Sequence, residues 1–193
     1  MLETLLHFDQ QLFFAINHGL SNPFFDWLMP ILRNRYFWSP LYLFVVIYFI
    51  RQYGRTGIIL IIMLALTFAL TDSVSSRFIK AAVERPRPCN DPIIKTQVNS
   101  LVGCGTGYSF PSSHAANHFG LAMFMIIACY HKWKWILPVS LLWAFSIVFA
   151  QVYVGVHYPI DITAGAILGC LIGYFTGTIF LITQKKTTWK PGK

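Results

Sequence analysis

Two stretches of this chain, residues 135–156 and 162–183, contain no charged side chain at all. Each is long enough to cross the ~30 Å hydrocarbon core of a bilayer as a helix, which takes about 20 residues. Continuous apolar runs of this kind read as spanning helices, because in lipid the backbone must satisfy its own polar groups. Three further runs complete the set. Residues 115–130 form one. Residues 57–70 form another, carried on through the polar TDSVSSRFIK to Lys80. The shortest covers 36–50, where Arg35 and Arg51 can snorkel at the ends. Charged residues make up only 11% of the chain, against about 25% in a soluble domain. The expected fold is therefore all-α and integral to the membrane, with about five transmembrane helices in one domain over residues 36–184. Residues 185–193 follow as a basic cytoplasmic tail.

Residues 1–35 read differently. Leu5, Phe8, Leu12 and Ile16 recur at helical spacing with Asp9, Gln10 and Asn17 between them. Gly19, Ser21, Asn22 and Pro23 break the pattern, and a short helix rich in Phe and Trp follows. Both are expected to be amphipathic interfacial helices lying on the membrane; the alternative is one kinked spanning segment. The opening MLETLLHFDQ lacks a basic n-region, so no cleaved leader is expected.

The net charge of +8 does not argue for nucleic acid, because most basic residues sit at the ends of apolar runs, where they orient a membrane protein. Arg51 and Arg55 share one short loop, His131, Lys132 and Lys134 another, and Lys185, Lys186, Lys190 and Lys193 the tail. With five spans all three lie on one side, which the positive-inside rule makes cytoplasmic. The loop from about Lys80 to Pro111 and the turn from Gly155 to Pro159 then share the opposite face.

That face gathers ionisable residues where a membrane protein normally avoids them. Lys80 and Arg87 bring fixed positive charge, and Arg grips phosphate oxygens with two donors. Ser112 and Ser113 open a spanning helix, whose free N–H groups favour an anion, and His114 stands in its first turn. Pro159 suits the first position of the last helix. Asp161 then falls within reach of one nitrogen of His157 and leaves the other free as a nucleophile. A serine cap or a His–Asp pair alone is commonly structural; their convergence with two cations points to phosphate chemistry. No carboxylate cluster suits magnesium and no Cys/His set suits zinc, so neither metal nor cofactor is expected.

At these residues the sequence resembles the type 2 phosphatidic acid phosphatase family, which shares its active-site plan with vanadium haloperoxidases. The first motif, Lys-x6-Arg-Pro, is matched by Lys80, Arg87 and Pro88. Pro111, Ser112 and His114 match Pro-Ser-Gly-His, with Ser113 in place of Gly. His157 and Asp161 match the end of Ser-Arg-x5-His-x3-Asp, whose first two positions are here Ala150 and Gln151. The likeness runs from about Pro40 to Leu181. It implies a lipid phosphate or diphosphate phosphatase in which His157 becomes a phosphohistidine and Asp161 orients it. His114 then protonates the leaving oxygen and later activates water. Lys80, Arg87, Ser112, Ser113 and Gln151 hold the phosphate. The family's bacterial substrates include undecaprenyl diphosphate, phosphatidylglycerophosphate, phosphatidic acid and lipid A, and the implied location is a bacterial inner membrane with a periplasmic site. The missing arginine leaves three readings. Lys80 and Arg87 suffice with a protonated His114; Arg77, on the face of Lys80, fills the gap; or Arg85 does.

Cys89 and Cys104 lie in the loop assigned to the oxidising side and are expected to pair, two free thiols being the alternative; Cys129 and Cys170 fall inside spans. Two rival functions are a non-catalytic lipid-binding protein of the same fold and a transporter using Asp72, Ser73, Ser76 and Arg77 as a polar path. His118, one turn past His114, reads equally as support for the site or as a packed histidine.

Overall fold

The computed structural model describes residues 2–184, so the basic tail at 185–193 lies outside the described residues. The elements are α1 (Leu2–Asn17), α2 (Pro23–Leu32), α3 (Ser39–Ser73), a π-helical turn (Val74–Ile79), α4 (Lys80–Val83), a 3-10 turn (Pro88–Asn90), α5 (Ser113–Cys129), α6 (Ile136–Tyr153) and α7 (Pro159–Thr183). Local chemistry sets the starts. The Asn22 side chain accepts from Phe25 N at 3.0 Å and Pro23 occupies the first turn of α2. Ser112 Oγ accepts from Ala115 N to open α5. Pro159 opens α7, and Asp161 folds back to accept from Tyr158 N at 2.8 Å.

The 35 residues of α3 would run about 52 Å as a straight rod, but the helix reverses at Gly54. Its φ of 51° and ψ of −123° suit glycine alone. A Cβ on Gly57 would lie 1.9 Å from Phe49 O, so the two arms touch just beyond the turn. Tyr42 reaches His118, Tyr53 stacks edge-on to Trp133, and Thr71 returns to Asn117, one residue from His118. The expected loop carrying Arg51 and Arg55 is thus not a loop: both residues stay helical on either side of one glycine. The span expected over 36–50 begins at Ser39, behind Pro40, and continues to the reversal.

The tightest packing joins α5 to α7. Gly165, Gly169, Gly173 and Gly177 recur every fourth residue along α7. A Cβ on Gly169 would sit 2.2 Å from Ala116 O, and one on Gly173 2.2 Å from Gly120 O. Hydrogen side chains on α7, facing the small Ala116 and Gly120 of α5, let the backbones meet this closely. Around this pair the core divides by end. Phe49, Tyr53, Leu60, Phe124, Cys129, Ile136 and Phe180 fill the end of the two basic turns. Phe13, Met29, Val152, Tyr153, Val156 and Tyr158 fill the other, where α1 and α2 cover the ends of α6 and α7. Residues 39–90, Ile136–Tyr153 and Pro159–Thr183 are long and apolar enough to cross a membrane, and Ser113–Cys129 is a shorter apolar helix. Leu142, Phe145, Leu171 and Phe175, each more than half exposed, give these helices an apolar outer surface.

Candidate active site

The end covered by α1 and α2 holds the ionisable residues. α4 stops at Glu84, whose φ of 52° is the left-handed value that a residue with a Cβ adopts at some cost. The chain leaves it extended through Arg85 and Arg87. Further on, the loop returns alongside. Ser109 N donates to Arg85 O at 2.8 Å, Lys80 Nζ to Tyr108 O at 2.8 Å, and Arg87 Nε to Gly107 O at 3.3 Å. The two cations of the first segment are thus aimed by carbonyls 20 and 28 residues away. A disulfide between Cys89 and Cys104, with Cα atoms 5.8 Å apart, closes the excursion.

His157 and Asp161 are both essentially buried. His157 Nδ1 lies 3.5 Å from Asp161 Oδ2, longer than a normal hydrogen bond. Asp161 is held from every side. Arg85 Nη1 donates to Oδ1 at 2.7 Å. Oδ2 accepts from the Ser109 hydroxyl and from Tyr158 N. The other fork of Arg85 donates to Asp9 Oδ2 at 2.6 Å, and Asp9 Oδ1 accepts from Ile160 N at 2.8 Å. The guanidinium also lies over the Tyr158 ring, 3.9 Å from its centroid.

At the facing helix start, Ser112 N donates to Asp161 O at 2.9 Å, which docks the first turn of α5 on that of α7. This brings His114 toward His157. Ser113 Oγ is buried without a hydrogen-bond partner, as are both polar atoms of the fully buried Gln151 side chain. The Gln151 carbonyl accepts from His157 N at 3.3 Å. His118 is a packed histidine: Nδ1 meets His114 O at 2.7 Å and the ring lies 5.1 Å from Trp143.

Burial lowers the His157 pKa to about 4; Asp161 pulls it upward, and the charges of Arg87 and Lys80 add to the lowering. The ring is therefore neutral near pH 7, the form that can attack an electrophile. Among the described residues no group of three His, Cys, Asp or Glu side chains is placed to hold a metal ion.

His157, Asp161, Ser112, Lys80, Arg87 and His114 meet at this end. Arg85 does not offer its guanidinium to a phosphate; both forks are taken by Asp9 and Asp161. Arg77 is exposed on the π-helical turn. The polar path suggested by Asp72, Ser73, Ser76 and Arg77 is in part a knot of helix contacts, with Ser76 Oγ on Asp72 O and Asn117 Nδ2 on Asp72 Oδ1. Sequence reasoning missed three residues: Asp9, Ser109 and Tyr158. Asp9 alone left a signal, as an acid inside an amphipathic helix. The others act through long-range contacts.

Comparison with known proteins follows the same lines. The PAP2 superfamily profile matches residues 56–185. The lipid A 4'-phosphatase of Bacteroides thetaiotaomicron is 34% identical over 97% of this chain and 82% of its own length. The undecaprenyl-diphosphatase of Sulfolobus acidocaldarius is 29% identical over 90% and 79%. Among solved structures, Aquifex aeolicus LpxE superposes with a TM-score of 0.62 at 28% identity, covering 90% of this chain and 94% of that one. A PAP2-type phosphatidylglycerolphosphate phosphatase from Bacillus subtilis gives 0.69 at 21% identity over 95% and 89%, a likeness of fold.

Proposed function

The chain belongs to the PAP2 superfamily, and from that premise we propose that it is an integral membrane lipid phosphatase working through a phosphohistidine. The observation that carries the reading is the buried imidazole of His157, neutral near pH 7 and set against Asp161. Nδ1 faces the carboxylate, so Nε2 is the nucleophile. It attacks phosphorus, and the bond to the alcohol oxygen breaks. His114, protonated beside the negative charge of the bound phosphate, gives that oxygen a proton, then takes one from the water that hydrolyses the phosphohistidine and frees inorganic phosphate. Lys80, Arg87 and the N–H groups at the start of α5 meet the charge on the phosphoryl oxygens. Asp161 positions the ring, and Arg85 and Asp9 hold Asp161. The cations supply the electrophilic stabilisation, so no step calls for a metal.

Likeness to the lipid A 4'-phosphatase favours a phosphomonoester on a glycolipid as substrate, with a polyprenyl diphosphate next. We read five spans, with the reversal at Gly54 separating the first two. Lys132 Nζ lies 4.6 Å from the Tyr53 ring centroid, so the basic turns meet at the end opposite the site. The positive-inside rule then puts the site on the extracytoplasmic face of a bacterial inner membrane, with α1 and α2 lying in the interface. One observation favours a second reading, a non-catalytic lipid-binding protein: Gln151 has no charge where the family has arginine. The test is phosphate release by purified protein from lipid A, undecaprenyl diphosphate, phosphatidylglycerophosphate and phosphatidic acid. Release that disappears in His157→Ala, with loss of an acid-labile phosphoenzyme, is expected. Turnover retained by His157→Ala overturns the mechanism, and no release from any lipid favours the second reading.

A further inference from the structure

We propose that Arg33, at the end of α2, supplies the third permanent cation of the phosphate site, the charge that Gln151 does not carry. The proposal rests on the phosphatase reading for what the site binds, and on the following geometry for the residue.

Arg33 caps α2 through its own N–H, which donates to Met29 O at 3.2 Å. The last turns of α2 lie on the end of α6: Met29 and Leu32 pack with Ala150, Tyr153 and Val154, the residues on either side of Gln151. From the other direction, Leu32 O accepts from Trp38 Nε1 at 2.7 Å. Trp38 meets Trp143 edge-on at 6.2 Å, Trp143 lies 5.1 Å from His118, and His118 contacts His114 O. The backbone just before Arg33 is therefore fixed against both the Gln151 segment and the His114 helix.

Arg33 is half-buried, with one edge of its guanidinium turned inward. Arg33 Nε is buried and has no hydrogen-bond partner. An interfacial arginine serving only as a membrane anchor carries its head out to water and lipid headgroups, whereas a buried guanidinium N–H left unpaired is costly. Burial, with the like charge of Arg87, lowers the Arg33 pKa, and Arg33 and Arg87 both act on the His114 ring. The charges of Lys80 and Arg87 act on His157. Arg33 therefore lies near His114, together with Arg87. Two partly desolvated like charges repel, and a dianionic phosphate bridging them relieves that repulsion. Arg33 then binds a phosphoryl oxygen near His114, where its planar fork offers two donors. Sequence spacing gave no hint of this, because Arg33 precedes every recognised motif.

The test compares full-length wild type, Arg33→Ala, Arg33→Gln, Arg33→Lys and Arg77→Ala in detergent. Binding of inorganic phosphate is followed through tryptophan fluorescence, alongside phosphate release from phosphatidic acid. Arg33→Ala and Arg33→Gln are expected to weaken phosphate binding tenfold or more, Arg33→Lys by less, and Arg77→Ala by no more than about twofold. Thermal melting identifies folded variants, and Arg33→Gln carries the comparison if Arg33→Ala does not fold. Phosphate affinity within twofold of wild type in folded Arg33→Gln overturns the proposal, as does a larger loss in Arg77→Ala. Phosphate binding that depends on Arg33 in a protein releasing no phosphate from any lipid sustains this inference and sinks the enzymatic reading instead.

Discussion

His157 sits in a turn rather than a helix, and burial there decides its protonation. With a folded pKa near 4 against about 6.5 in an unfolded chain, the unfolded state takes up a proton first as pH falls. The contribution is neutral above about pH 6.5 and turns against folding between there and about 4. The nucleophile should stay unprotonated at about pH 5. Histidine-labelled NMR, assigned by comparison with His157→Gln, checks this; a doubly protonated His157 at that pH contradicts it. A second expectation concerns Arg85. Its partners Asp9 and Asp161 have fully buried side chains, so Arg85→Ala leaves two uncompensated carboxylates. The loss should be about 3 kcal/mol or more and should exceed that of Asp9→Ala, which strands only one fork of a partly exposed guanidinium. Denaturation in detergent ranks the two, and the opposite order would show that the bridge is not organised around Arg85.

At the scale of elements, α5 and α7 are joined by backbone contact, not by interlocking side chains. Gly173→Val would put a branched side chain where Gly120 O stands 2.2 Å from the first added carbon. The helices must part, at a cost of about 1–3 kcal/mol, and the docking of Ser112 on Asp161 should suffer with them. A clear fall in melting temperature and activity is expected. Gly103→Ala, at an exposed glycine with nothing within 4 Å, should leave both unchanged. Equal effects from the two would refute the close-packing account. The loop from 84 to 112 is the other deciding element, since its returning carbonyls at Gly107 and Tyr108 aim Arg87 and Lys80. Opening the Cys89–Cys104 bond as a double serine variant should therefore raise KM more than it lowers melting temperature, a split that kinetics and thermal scans read together.

For the whole molecule, the basic turns at one end and the ionisable site at the other give an orientation that can be measured. A cysteine introduced at Arg55 should react with a membrane-impermeant thiol reagent only after bacterial cells are lysed, while one at Ser100 should react in intact cells. Labelling of Arg55→Cys from outside would invert the orientation. The same layout gives the site cations in place of acidic ligands, so chelator should leave the rate of phosphate release unchanged.

Much of this protein was legible in one dimension. Lipid leaves the backbone no partner but itself, so charge-free runs of sufficient length specify helices, and the runs at 115–130, 135–156 and 162–183 are helices to within a few residues at either end. Motif spacing also anticipated that His157 and Asp161 stand together, because a short turn and a helix start fix where neighbours in sequence stand. Tertiary structure decided what spacing does not encode. Gly54 reverses a helix where the charges suggested a loop, since a single left-handed residue leaves almost no local signature. The glycines of α7 were visible at every fourth position, yet their meaning depended on which helix faced them. Arg85 looked like a candidate for phosphate until Asp9, 76 residues away, claimed one fork. Arg33 is the reverse case: an arginine at the end of a short surface helix becomes part of the site only because α2 folds across the end of α6. Local sequence determines what a residue can form with its near neighbours, and only the packed chain determines which distant charge it must satisfy.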